Sequence, residues 1–327
     1  MAQLPALDAL AEHLEDDPHG ATLHARAVIV TDGIDLLAAK REKLMRDGAS
    51  AVRKLQETGE NAPLTRDESV GLEAVVHAVG RPAMLVFDSQ FGEAPFGWQI
   101  LDDNRASIER KLPSVGRVEI HAGGEPPRAW GTGFLVADGV VMTNRHVVNG
   151  LGNIKDYIFT LGKPHLDYLA EDGNPTTARF RIASAKVHDD VDLALMHVEP
   201  IDGSPDPPPP LRIAGTPPEN EINLYAIGYP VTPGDTPPEV LEAIFGNTFG
   251  VKRLQPGKLM TIRSASKELL HDASTLGGSS GSPIIDVDRD LVVGLHFSGI
   301  YKNQNYAVTL WELTNDPLLK EYGLKFY

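Results

Sequence analysis

The stretch "GTGFLVADGVVMTNRHVV", residues 131–148, decides how this chain is read. Two short apolar runs, residues 134–136 and 140–143, flank Ala137, Asp138 and Gly139, a turn-forming triplet of the kind that closes a β-hairpin. His146 follows the second run at once, where a strand gives way to a loop or short helix. A lone histidine in that position is more often an ordinary half-buried side chain than a working one, so its neighbours in the chain have to decide.

The same texture continues from Pro113 onward. "VGRVEIHA", "DLALMHVE", "NLYAIGYP", "KLMTIRSA", "SPIIDVDRDLVVGLHFSG" and "NYAVTLWEL" are short apolar runs parted by clusters of Gly, Pro, Asn and Asp. Regular short strands with turn signals between them indicate a sandwich or a barrel. "DVDRD" reads as a second hairpin turn. "SPDPPPP", residues 204–210, cannot join a central strand and reads as an extended connector dividing the β region into two halves of similar length.

Before Pro113 the period is helical. In "IDLLAAKREKLMRDGASAVRKLQE" the apolar Ile34, Leu37, Leu44, Met45, Val52 and Leu55 share one face. Thr65 and Glu68 have capping-box spacing. Behind them Leu72, Val75, Val76 and Val79 repeat at helical spacing until Gly80 and Pro82 end the element. "AMLVF" reads as a strand, and residues 98–112 as one more helix stopped by Pro113. The fold class is thus mainly β with a mostly helical N-terminal region, residues 1–112, ahead of a β domain, residues 113–327.

Composition narrows the chemistry. The 327 residues carry a net charge of −15, which repels phosphate backbones, so nucleic acid is not an expected partner. There is no cysteine, which excludes disulfides, thiolate metal sites and a cysteine nucleophile. The scattered His/Asp pairs at His188, His197 and His271 form no metal-ligand pattern, and no cofactor is expected. The opening residues lack a basic segment followed by an apolar one, and no run approaches the roughly 20 apolar residues that span a bilayer. A cytoplasmic protein without a membrane partner is the expectation.

Asp192, at the mouth of "LALMHV", stands 46 residues after His146, and Ser280 lies in the serine-glycine run "STLGGSSGSP", residues 274–283. Each signal is weak alone, and the run by itself reads as a flexible linker. Together they give the order His, Asp, Ser. A serine hydroxyl needs an adjacent imidazole to take its proton, imidazole titrates near neutrality, and a carboxylate fixes its tautomer. Glycines beside the serine let backbone N–H groups turn toward a developing oxyanion.

"GTGFLV…VMTNRHVV", "DVDLALMHV", "LYAIGYP" and "GGSSGSPII…VVGLHFSG" resemble the chymotrypsin-like, trypsin-fold serine proteases, closest to the bacterial glutamyl endopeptidases and high-temperature-requirement proteases. The resemblance covers roughly residues 113–315 and implies two six-stranded antiparallel β-barrels with the site in the cleft between them. It implies His146, Asp192 and Ser280 as the triad, and the backbone N–H groups of Gly278 and Ser280 as the oxyanion hole. Ser279 stands where the digestive enzymes have an aspartate that binds a freshly cut N-terminus, so that activation route is expected to be absent.

The resemblance also implies that Thr275, His296, Phe297, Ser298 and Gly299 bind substrate. Protonated His296 with the Thr275 hydroxyl suits an acidic residue before the scissile bond; neutral His296 suits a small or apolar one. The expected function is a serine endopeptidase acting on proteins or peptides through an acyl-enzyme. The alternative is a catalytically silent protease-fold module that binds through its N-terminal region. That region reads as an inhibitory prosegment, a docking module for a regulatory protein, or structural support.

Overall fold

The computed structural model describes residues 34–58, 62–75, 81–95, 97–121, 126–151, 163–201, 203–231, 241, 244–246, 248–300 and 304–327. They fall into two compact units, one drawn from residues 1–83, 93–103 and 233–248, the other from 84–92, 104–232 and 249–327.

The first unit is built on helices α1 (Ile34–Thr58) and α2 (Arg66–Val75). Met45, Val52 and Leu55 are buried, as the 3.6-residue period requires. The side chains of Ile34, Leu37 and Val75, and all of Val76, Val79 and Gly80, lie outside the described residues. The capping box is formed: the Thr65 N–H donates to Glu68 Oε2 at 2.9 Å, and the Glu68 N–H to Thr65 Oγ1 at 3.2 Å. Glu68 also accepts from Lys54 at 2.8 Å and Ser50 at 2.7 Å, tying α2 back to α1. Lys54, the Thr65 N–H and Ser50 together hold its carboxyl down to about 2, against the outward push of burial. Gly71 lets the helix backbones meet, since a Cβ there would stand 2.5 Å from the Gly48 nitrogen.

Residues 98–112 do not form one helix. They break into α3 (Gln99–Asp103), α4 (Arg105–Glu109) and a 3₁₀ turn at Leu112–Ser114. Asn104 adopts φ −105°, ψ 10° between α3 and α4, which ends the first ladder. Pro113 stops nothing, because in the first turn of a 3₁₀ helix its missing N–H has no partner to lose.

The second unit contains two closed antiparallel barrels. Strands β3 (Val115–His121), β4 (Arg128–Ala137), β5 (Val140–Thr143), β6 (Lys163–Asp167), β7 (Arg179–Val187) and β8 (Ala194–Pro200) close in the order β3-β4-β5-β8-β7-β6. Its core includes Val118, Leu135, Val141, Leu166, Phe180 and Met196. Residues 204–212 then run without regular structure, as the proline run requires. Strands β9 (Asn223–Gly228), β10 (Arg253–Arg263), β11 (Glu268–His271), β12 (Pro283–Asp286), β13 (Leu291–Ile300) and β14 (Gln304–Thr309) close the second barrel around Leu224, Leu269, Ile284, Val293 and Ala307. Both expected hairpin turns form: Gly139 at φ +64° turns β4 into β5, and the Asp286 carboxylate accepts from the Asp288 and Arg289 N–H groups at the β12–β13 turn. Helix α5 (Arg145–Gly150) follows β5, and α6 (Pro317–Glu321) closes the chain behind an Asp316 cap.

The strand expected in "AMLVF" is β1 (Met84–Phe87), which pairs with β2 (Gln90–Phe91) and adds to the edge of β10. Residues 84–92 and 104–112, assigned by the sequence to the N-terminal region, therefore belong to the barrels' own unit. Buried Lys252 fastens them. Its ammonium donates to the Leu112 and Tyr168 carbonyls at 2.8 Å and to Glu171 Oε1 at 2.9 Å, while Glu171 Oε2 accepts from the Ser89 N–H. Among the described residues no helix is long and apolar enough to cross a membrane.

Within this unit Thr132, fully buried on β4, is the junction between barrels. Its N–H donates to the Ser280 carbonyl at 2.8 Å and its hydroxyl to the Gly278 carbonyl at 2.8 Å. The same hydroxyl accepts from the Tyr229 N–H at 3.2 Å, and its carbonyl accepts from Thr143 Oγ1 at 2.7 Å. Gly281, at φ +92°, makes the approach possible: a Cβ there would lie 1.9 Å from the Thr132 carbonyl oxygen.

Two predictions follow from these contacts. Thr132→Val keeps the shape but leaves the Gly278 carbonyl and the Tyr229 N–H without their buried partner, at about 1–3 kcal/mol for each orphaned group, so urea unfolding should show a marked loss of stability. Glu68 titrates lower folded than unfolded, so its stabilisation is complete above the ordinary carboxylate pKa and fades as pH falls toward 2. Melting temperature should therefore drop over that acid window in the wild type, and less steeply in Glu68→Gln.

Candidate active site

His146 enters the site because β5 ends in a buried asparagine. Asn144, extended at φ −83°, ψ 151°, opens α5, and its side-chain amide donates to the Asp192 carbonyl at 2.8 Å. That bond draws the loop before β8 against the first turn of α5. Asp192 then meets His146 twice, with Oδ2 2.6 Å from the ring Nδ1 and Oδ1 accepting from the His146 N–H at 3.0 Å. Burial pushes the Asp192 carboxyl up, but the two bonds from His146 prevail and hold it below the usual carboxylate range. An ionised Asp192 fixes the imidazole with Nδ1 protonated and leaves Nε2 as a base. The ring is 49% exposed, open to an incoming molecule.

Ser280 lies in the loop between β11 and β12. Gly278 and Gly281, at φ +91° and +92°, curl the loop into the left-handed region. Tight bonds from the Ser279 N–H to the Leu276 carbonyl and from the Ser282 N–H to the Ser279 carbonyl, both 3.0 Å, hold the curl. Ser279 is fully buried, so the loop is shaped without a charge at that position. Among the described residues neither the Gly278 nor the Ser280 N–H donates to a protein acceptor, leaving both free for a ligand oxygen. The Ser280 hydroxyl donates weakly to the Phe297 carbonyl at 3.5 Å rather than to His146; such pairs tighten when substrate is bound.

The serine loop and β13 are laced together: the Gly281 N–H donates to the His296 carbonyl and the His296 N–H to the Ser282 carbonyl, each at 2.9 Å. This brings the expected substrate-binding residues of β13 beside the loop that carries Ser280. Phe297 is half-buried; Ser298 and Gly299 continue β13, but their side-chain surroundings lie outside the described residues. Of the two states considered for His296, the surroundings favour the neutral one. Burial, helped by the nearby His146 and opposed by the Tyr306 carbonyl, pushes the His296 imidazole down to about 3, so the ring is neutral near pH 7. Thr275 Oγ1 donates to Asn305 Oδ1 at 2.8 Å.

Sequence reading missed two residues here. His271, on β11, sets its Nε2 3.1 Å from His296 Nδ1, and its own titration is driven well down by burial. Asn305, on β14, stands opposite His271 in the ladder. Neither had a local motif, since both act through a cross-strand pairing that only barrel closure creates.

The chain is similar to several known proteins. A chain of Lysobacter enzymogenes described as a probable serine protease is 29% identical over 312 residues, 83% of this chain and 80% of its own length. A glutamyl endopeptidase of Staphylococcus epidermidis is 28% identical over 184 residues, 54% of this chain and 57% of its length. Among solved structures, the active form of a Mycobacterium tuberculosis protease superposes with a TM-score of 0.44 at 18% identity, covering 69% of this chain and 87% of that one. The trypsin-like peptidase domain matches residues 131–295, which contain His146, Asp192 and Ser280. With half the chain under that match, the protein belongs to the trypsin-like peptidase family and is a serine endopeptidase.

Proposed function

We propose that Ser280 is the nucleophile, His146 its general base and acid, and Asp192 the group that orients His146. The observation that carries this is the paired contact of Asp192 with both the ring and the backbone of His146, next to a glycine-curled serine loop. His146 Nε2 takes the Ser280 proton as Oγ attacks the scissile carbonyl carbon. The tetrahedral oxyanion is held by the Gly278 and Ser280 N–H groups. His146 then returns the proton to the leaving amine as the C–N bond breaks, giving an acyl-serine. Water enters by the same route and frees the acid product.

The relative described as a glutamyl endopeptidase favours an acidic residue before the scissile bond. The neutral His296 and the orientation of Thr275 favour an uncharged polar one instead. Cytoplasmic action and control by a protein partner through the N-terminal region belong to the same proposal. Any truncation meant to test that control should begin ahead of Met84, because β1 pairs with β10.

Two measurements test the triad. A fluorophosphonate probe applied to the full chain should label Ser280, with labelling abolished in Ser280→Ala; undiminished labelling of that variant would place the reactive group elsewhere. Asp192→Asn should slow peptide cleavage by about 10³–10⁴-fold while the protein stays folded, because an amide that donates to Nδ1 puts the imidazole in the wrong tautomer. A decrease of less than tenfold would remove Asp192 from the triad.

A further inference from the structure

The loop that carries Asp192, residues 188–193 between β7 and β8, is shaped from within by a histidine that the triad chemistry does not use. His188 is buried, its side chain 5% exposed, while Asp189 and Asp190 beside it are exposed. Its ring Nδ1 accepts from the Asp190 N–H at 3.0 Å and from the Val191 N–H at 3.2 Å. A backbone N–H only donates, so Nδ1 carries no proton and the ring's proton sits on Nε2. Nε2 then donates to Asp316 Oδ2 at 2.8 Å. The other oxygen of Asp316 caps α6 by accepting from the Leu319 N–H at 3.1 Å.

The rest of the loop closes around that ring. The His188 N–H donates to the Leu193 carbonyl at 2.8 Å, and Arg145 donates to the carbonyls of His188 and Asp189 at 2.9 and 2.7 Å. Arg145 directly precedes His146, and Asn144 holds the Asp192 carbonyl, so the two segments that bear His146 and Asp192 are bonded together beyond the Asp192–His146 contact itself. Water can satisfy an exposed N–H such as that of Asp190 at little cost, so the ring is not needed to pair a buried group. It supplies one fixed acceptor for the two residues that precede Asp192, whose carboxylate has to meet both the ring and the N–H of His146.

We propose that His188 is a positioning residue of the triad, acting through Asp192, and that Asp316 in the C-terminal segment fixes the tautomer in which it does so. This rests on the triad reading above. Without the ring, the Asp190 and Val191 N–H groups turn to water, the loop relaxes, and Asp192 loses its double contact with His146. A misplacement of about 1 Å in a catalytic constellation costs up to about 10²-fold in rate, and it falls on the proton-transfer step rather than on binding.

The test follows labelling of Ser280 in the full chain by a fluorophosphonate, a reaction in which His146 takes the same proton, with kinact and KI measured separately. Labelling rate constants do not depend on how much of a variant is folded. His188→Ala should lower kinact by about tenfold or more and leave KI within about twofold. In His188→Asn the side-chain oxygen can accept from the N–H groups two and three residues on, as in an Asx turn, and most of kinact should return. Asp316→Ser keeps a cap on α6 but cannot reach His188; it should slow the wild-type chain and leave the His188→Asn variant unchanged. In an Asp192→Asn background, His188→Ala should cost much less than it does alone, because both substitutions remove the same contact.

An unaltered kinact in His188→Ala overturns the proposal, and so does equal slowing by His188→Asn, which would make His188 a packing residue. Full additivity with Asp192→Asn overturns it as well. If His188→Ala does not fold, an unaltered kinact in Asp316→Ser overturns it. Each of these leaves the triad reading standing. Absence of labelling in the wild type, or labelling that survives Ser280→Ala, strikes the triad reading itself and the proposal with it.

Discussion

Thr132 is the constraint on which the site depends. It belongs to the first barrel, yet its N–H, hydroxyl and carbonyl are each bonded to groups that shape or flank the serine loop. A β-strand normally offers its N–H and C=O to neighbouring strands, so the loop is held like an extra strand for the length of two residues. The approach is close enough that only glycine fits at position 281. His146 and Asp192 come from the same barrel as Thr132, and Ser280 from the other. Thr132 thus ties the barrel that carries His146 and Asp192 to the loop that carries Ser280.

Electrostatics divides the site in two. On one side Asp192 stays ionised because His146 gives it two donors, and the imidazole beside it is exposed. Behind it, two histidines are enclosed and neutral because burial penalises a cation more than their surroundings repay. The same imidazole side chain is solvent-exposed at position 146 and enclosed at position 296. Solvent access, not residue type, makes the difference. Buried Lys252 shows the remaining case, a charge kept inside by three acceptors at once, and it anchors residues 84–92 and 104–112 to the barrels.

Much of this was legible in the chain. Apolar runs broken by turn residues located most of the strands, and Ala137, Asp138 and Gly139 turned where turn chemistry says they must. The Thr65–Glu68 spacing formed its capping box, because both bonds close within one helical turn. Local reading failed over residues 98–112, where helical period continued across Asn104 although the backbone does not. Strands β6, β7 and β11 escaped notice because their sequences mix polar and apolar residues without a clear boundary signal.

The sequence by itself determined the kinds of residue available for chemistry, their order along the chain, and the glycines without which the serine loop cannot curl. Those follow from side-chain chemistry and from φ/ψ limits that act within a few residues. Tertiary structure alone decided which oxygen each hydroxyl faces, which partner each imidazole nitrogen meets, and whether a buried ring is charged. Each of those depends on partners brought together by barrel closure, such as His271 with His296 and Thr275 with Asn305, which lie 25 and 30 residues apart. No local pattern encodes such a pairing, because the free energy that fixes it arises only when water has left and every buried donor must find an acceptor.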